Sequence, residues 1–192
     1  MSTFYICATP IGNLDDISKR LVDTLNSVDI VYAEDTRRGK KLLSHLDIKK
    51  PIYSYFVGNE KSKSNEILKQ IKEGKSIALI SDAGTPLISD PGEYLVKELI
   101  KNNVDIFAIP GPSSVLVALT LSGFDTGKFN FLGFVPKSGK DREKFYHQIK
   151  NSEVTLETET SFCSRAARFH VFLFLKFMSP THFEVYISST TL

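Results

Sequence analysis

The residues best equipped for chemistry fall in a few short clusters. Glu34-Asp35-Thr36-Arg37-Arg38 places two carboxylates, a hydroxyl and two guanidiniums in five consecutive positions. A carboxylate there can accept hydrogen bonds from a sugar or take the proton of a weakly acidic hydroxyl, and Arg37 can hold a phosphate through its planar fork. Capping of a following helix by Asp35, with the basic residues solvated on it, accounts for the same spacing. Three further segments combine glycine, proline and small polar residues: Thr9 to Leu14, Ser81 to Pro86, and Pro110 to Ser114. Glycine lets a ligand reach backbone groups without a Cβ in the way, and proline holds a loop ready at low entropic cost. Asp90-Pro91-Gly92 is another turn, with Asp90 placed either to cap the helix that follows or to face a site.

The ligand is narrowed by what these loops lack. No G-x-G-x-x-G follows the first apolar run, and Gly74-Lys75-Ser76 has Lys69 where a phosphate-cradling loop needs its first glycine. Dinucleotides and nucleoside triphosphates are disfavoured. A ligand without phosphates fits better, and S-adenosylmethionine is one. Two basic clusters, Arg37, Arg38, Lys40 and Lys41, then Lys137, Lys140, Arg142 and Lys144, read either as solvated faces or as contacts to a few nucleic-acid phosphates.

These clusters must be held by something, and the pattern around them is regular. Apolar runs at Phe4 to Ala8, Ile30 to Ala33, Ile52 to Phe56, Ile77 to Ile80 and Val104 to Ile109 read as strands. Between them, Leu21, Val22 and Leu25, then Ile67, Leu68 and Ile71, then Leu95, Val96, Leu99 and Ile100 recur at helical spacing. Strand and crossover helix in alternation predict an α/β fold, an open parallel sheet flanked by helices, over residues 1–111. In such a sheet the ligand site lies beyond the carboxyl ends of the strands, where all the candidate loops fall. A second, incomplete α/β domain is predicted over 112–192. It opens with a helix from Val115 to Leu121 capped by Ser113 or Ser114, then a strand at Phe131 to Val135 and a helix from Asp141 to Lys150.

Composition sets outer bounds. With 192 residues and 42% hydrophobic content the chain can bury a real core, and 24 basic against 22 acidic residues gives no global field that announces a partner. Cys7 and Cys163 form no disulfide framework or zinc spacing, so no metal is expected. No uncharged apolar run approaches the ~18 residues of a membrane span and no signal peptide is evident, so a cytoplasmic protein without a membrane partner is expected.

The segments Thr9 to Ile17, Ala33 to Arg37, Ser81 to Gly92 and Pro110 to Ser114, in this order, resemble the motifs of the tetrapyrrole-methylase superfamily, and within it the branch acting on small-subunit ribosomal RNA. The resemblance spans roughly residues 4 to 155. It implies transfer of a methyl group from S-adenosylmethionine to a cytidine ribose 2′-hydroxyl of 16S ribosomal RNA, a cofactor cleft between two α/β domains, no metal, and a homodimer. Carried onto matching positions, it implies Pro10, Ser81, Asp82, Ala83, Thr85, Ile88, Ser113 and Ser114 as cofactor contacts. Glu34, Asp35, Arg37 and Asp90 face the ribose and its phosphates, with Asp35 first and Glu34 second as the group that takes the hydroxyl proton. A tetrapyrrole or other small-molecule substrate, and a remnant that transfers nothing, are the rival readings.

The resemblance ends near Leu156, where Glu157-Thr158-Glu159-Thr160-Ser161 stands in place of the family's next motif. A shift of reading frame explains a familiar start joined to an unfamiliar end. Residues 156–192 are therefore atypical: Phe169 to Phe177 is strongly apolar, with strand partners in doubt, and Ser188 to Thr191 follows no helical or strand pattern.

Overall fold

The computed structural model describes residues 2–124, 126–150, 155–164, 167–179 and 182–191, with side chains through residue 147. The chain forms two compact units, one ending at Pro112 and the other beginning at Ser113.

The first unit is a five-stranded sheet in the order β3-β2-β4-β1-β5, parallel throughout. Its elements are β1 (Thr3–Cys7), α1 (Lys19–Ser27), β2 (Ile30–Ala33), α2 (Thr36–His45), β3 (Ile52–Ser54), α3 (Glu60–Lys72), β4 (Ile77–Ile80), α4 (Glu93–Lys101) and β5 (Asp105–Ile109). β2 and β4 are buried at every position, which is why they read as unbroken apolar runs. On one face Leu21 and Leu25 of α1 and Leu42 and Leu43 of α2 close over Val31, Ala33 and Ile80. On the other, Ile67 and Ile71 of α3 and Leu95 and Leu99 of α4 cover Phe4, Tyr32 and Ile77. Cys7 sits at 0% exposure in the first cluster, and burial pushes its thiol up to about 12, so it behaves as a small hydrophobe.

β3 and β5 are one or two residues shorter than their apolar runs: Tyr55, Phe56 and Val104 lie outside the strands. α2 carries little apolar signal, because a glycine does much of its packing. A Cβ on Gly39 would stand 2.4 Å from Ile52 Cδ1 and 3.1 Å from Ala33 Cβ, so the helix lies unusually close to the sheet. Gly39→Val should therefore cost about 2 kcal/mol through overpacking, read as a lower urea midpoint with an unchanged slope.

The second unit opens with α5 (Ser114–Leu121), whose N-cap is Ser113, its hydroxyl accepting from the Leu116 amide at 3.5 Å. Val115, Ala118 and Leu119 pack with Phe124, Phe129 and Phe131. Then follow β6 (Phe129–Phe134), α6 (Lys140–Lys150), β7 (Thr155–Ser164), β8 (Ala167–Ser179) and β9 (His182–Thr191). Their sheet is mixed, β6 parallel to β7 and the last three strands antiparallel. The partners in doubt for Phe169 to Phe177 are thus supplied by β9 throughout and also by β7 as far as Leu175, Phe172 lying opposite Glu159 and Ser188. Ser188 to Thr191, patternless in sequence, belongs to β9.

Candidate functional site

Because all five strands of the first unit are parallel, the segments after β1, β2, β3, β4 and β5 emerge at one edge. There the glycine-rich loops are joined to one another. Thr9 and Gly84 exchange both backbone hydrogen bonds, at 2.9 and 3.0 Å. The Thr9 hydroxyl donates to the Ser81 carbonyl at 3.3 Å, and the Ser81 hydroxyl donates to the Gly84 carbonyl at 2.7 Å. Thr85 donates its hydroxyl proton to the Pro112 carbonyl at 3.3 Å, and a Cβ on Gly111 would stand 3.0 Å from Ala8 Cβ. Loops some 75 residues apart in sequence are thus fixed by the obligation of their backbone groups to find partners.

Pro10, Ser81, Asp82, Ala83 and Thr85 are brought together by this arrangement. Ile88 stands half exposed on the same loop. Ser113 and Ser114 belong to the second unit, where Ser113 is a helix cap. The side chain of Asp82 turns toward β2, accepting from the Asp35 amide at 2.9 Å and lying 3.6 Å from Arg38 Nε.

The loop from Ser81 to Gly92 is strained. Leu87 and Ser89 both take left-handed φ, 73° and 66°, costing of order 1 kcal/mol each. Leu87 recovers this by packing its side chain against the core under α3 and α4. It lies so close to Gly92 that a Cβ there would meet Leu87 Cγ at 3.1 Å. Gly92, with φ 141°, is the N-cap of α4 and makes no side-chain cap, which corrects the expectation of capping by Asp90. Asp90 instead hydrogen-bonds the carboxyl of Glu34.

Glu34 and Asp90 line a small, open depression with Tyr55, Leu79, Ile80, Ser81, Pro86 and Pro91. Burial holds Glu34 above the ordinary carboxylate range, with the Asp82 carboxylate adding to the effect and the Asp90 hydrogen bond opposing it. Asp35 is the reverse case. It caps α2, accepting from the Arg37 amide at 2.8 Å, and takes the Arg37 guanidinium side-on, with Nη2 2.7 Å from Oδ2. These hydrogen bonds, the side-chain ones first, bring it down to about 2.

Thr9 and Pro86 lie in loops that the sequence marked, though neither was assigned a contact of its own; Tyr55, read only as part of an apolar run, enters through folding. Among the described residues no group of three or more His, Cys, Asp or Glu is disposed to hold a metal ion, and no helix is long and apolar enough to cross a membrane.

A parallel sheet with glycine-rich loops knit at its carboxyl edge defines a class of α/β nucleotide- and cofactor-type folds, and comparison makes it specific. The chain belongs to the tetrapyrrole (corrin/porphyrin) methylases, whose family model matches residues 3–161. It is 46% identical over 150 residues to ribosomal RNA small subunit methyltransferase I of Thermotoga maritima, covering 78% of this chain and 67% of that protein. It is 43% identical over 154 residues to the protein of the same name from Halalkalibacterium halodurans, covering 80% and 53%. The chain thus spans between about half and two thirds of the length of these relatives. A crystal structure of diphthine synthase shares the fold, with a TM-score of 0.66 at 14% identity over 83% of this chain and 64% of that one.

Proposed function

We propose that the chain carries the cofactor and substrate loops of an S-adenosylmethionine-dependent enzyme that methylates a cytidine ribose 2′-hydroxyl in 16S ribosomal RNA. The observation that carries this reading is the paired hydrogen bonding of Thr9 with Gly84, which joins two of the family's loops at the ligand edge of the sheet. The names of relatives more than 40% identical support small-subunit ribosomal RNA as the substrate, and the cytidine 2′-hydroxyl is what the family resemblance implies.

The residues at that edge fit the donor. Ser81, Ala83 and Thr85 bring small neutral side chains to the edge that the Thr9–Gly84 pairing holds in place, and the bare Cα of Gly84 leaves space beside Ile11 that a larger residue would fill. When bound, S-adenosylmethionine supplies a methyl group on a sulfonium, open to in-line displacement by the ribose oxygen. Ser81, Thr85 and their neighbours would hold and orient it, with Pro10 and Ile88 as apolar contacts. Glu34 takes the proton of the 2′-hydroxyl, its raised affinity for protons suiting it better than Asp35. Arg37 and Asp90 position the phosphate and the ribose.

Incubation with small ribosomal subunits and methyl-labelled cofactor tests the reading. Label is expected in RNA, at a linkage resistant to alkaline cleavage. Label in a tetrapyrrole and none in RNA would move the chain to another branch of the family.

A homodimer acting in the cytoplasm belongs to the same proposal. Its support is Phe107 on edge strand β5, which stacks on Tyr5 of the neighbouring β1 with ring centroids 5.9 Å apart and remains 48% exposed. Phe107→Glu should shift the protein to monomer by light scattering, whereas an unchanged mass would exclude this edge as the interface.

A further inference from the structure

Turn tips are usually polar, yet the turn after β3 presents Phe56 and Val57, which are 44% and 72% exposed. The turn is firmly built. Phe56 N–H donates to Asn59 Oδ1 at 2.9 Å, Asn59 N–H donates to the Phe56 carbonyl at 3.1 Å, and Asn59 Nδ2 donates to the Ser54 carbonyl at 3.3 Å. Gly58, at φ 109°, closes it, and Phe56 Cε2 lies 3.9 Å from where a Gly58 Cβ would stand. The ring therefore rests against its own turn. Tyr53, also exposed, is occupied by Tyr32 at 5.7 Å and by Lys63 at 5.9 Å, whereas Phe56 has no ring or cation partner among the described residues.

The position of this turn gives it meaning. Ser54 pairs with Ala33, and the Tyr55 amide extends the ladder by donating to the Ala33 carbonyl at 2.8 Å. Adjacent strands lie roughly 4.8 Å apart, so Phe56 emerges beside the segment that leads from Glu34 into α2. Tyr55 enters the core beneath α3, and Phe56 is left to solvent.

On the two helices that flank this turn in sequence, Arg37, Arg38, Lys40 and Lys41 of α2 and Lys61 in the first turn of α3 are exposed, while the acidic Asp35 and Glu60 beside them are only partly so. Lys40, Lys41 and Lys61 form no ion pair among the described residues, and Arg37 uses Nε and Nη2 on Asp35, leaving Nη1 available. A protein-docking patch is depleted of lysine and richer in contiguous apolar area. One rigid aromatic among cations is instead the make-up of a single-strand surface, with phosphates held by the cations and a base by the ring.

We infer that Phe56 is a stacking platform for an unpaired RNA base flanking the nucleotide to be methylated, with Val57 packing at its rim and Lys40, Lys41 and Lys61 holding the adjoining phosphates. This rests on the RNA-methyltransferase reading above and adds to it the means by which a single-stranded segment is held. It also implies a substrate opened out of the duplex at that point, since a paired base cannot reach an aromatic face.

The test is fluorescence anisotropy of the 192-residue chain with a labelled, unstructured, cytidine-containing RNA oligonucleotide in the presence of S-adenosylmethionine. Phe56→Ala should weaken binding about 10-fold, leave the slope of log Kd against log salt unchanged, and leave calorimetric cofactor affinity unchanged. Phe56→Trp should retain affinity. Phe56→Leu keeps apolar area without a π face and should behave like alanine; wild-type affinity in that variant overturns stacking and assigns the patch to an apolar partner such as a protein. Equal affinity in Phe56→Ala overturns the platform outright while the RNA reading stands. An unmutated chain that binds no RNA removes both.

Discussion

Valine at position 84 is expected to weaken S-adenosylmethionine binding by about 100-fold, measured by isothermal titration calorimetry, through backbone strain in the cofactor loop. Gly84 has φ 79°, a conformation that a β-branched residue resists, and a Cβ there would stand 3.2 Å from Ile11 Cγ2 before either branch methyl is added. Gly84 also donates to and accepts from Thr9, so any relaxation of the strain pulls apart the two loops that this pairing joins. Gly74→Val is the matched control. Gly74 has φ 91° with nothing within 4 Å of its Cβ position, and it lies in the turn before β4, at the opposite edge of the sheet. That variant should lose stability to a similar degree and keep its cofactor affinity. Equal losses of affinity in the two variants would mean that the effect is general destabilisation, and the loop would lose its assigned role.

The contrast between these glycines shows what could be read from sequence. Three loops rich in glycine and proline after apolar runs announced an edge with a purpose, since local pattern fixes strands and turns. Their joining was not legible, because the neighbours of β1 are β4 and β5, which lie some 70 to 100 residues away, and strand order leaves no mark on hydrophobic periodicity. The same holds for the bond between Asp90 and Glu34: an Asp-Pro-Gly segment before a helix reads as a cap, and only the left-handed stretch at Leu87 and Ser89 turns Asp90 back toward β2. Asp35 was legible in both of its possible roles, and its capping role is the one with a hydrogen bond attached. In the second unit the pattern located α5, β6 and α6 to within a residue or two. It failed at the end of β9, where Ser188 to Thr191 gives an edge strand no apolar alternation to follow.

The division of labour between the two neighbouring carboxylates is the sharper test of mechanism. Glu34→Gln should lower kcat by about 100-fold, the lower end of what a positioned acid–base group supplies, with little change in the KM for RNA or cofactor. Only ionised Glu34 can accept the hydroxyl proton, and burial lifts its titration above the ordinary carboxylate range. Activity should therefore be present at high pH and fall as pH drops through an inflection higher than a solvated glutamate would give; the inflection should vanish in Glu34→Gln. The hydrogen bond from Asp90 favours the ionised form, so Asp90→Ala should move the inflection to higher pH rather than abolish it. Asp35, brought down to about 2 by Arg37, holds too little proton affinity to serve. Asp35→Ala should accordingly lower the melting temperature through the lost helix cap and spare most of kcat. If Asp35→Ala instead abolishes turnover while Glu34→Gln leaves both kcat and the inflection intact, the roles are the other way round, and Arg37 must release Asp35 when the RNA phosphate arrives.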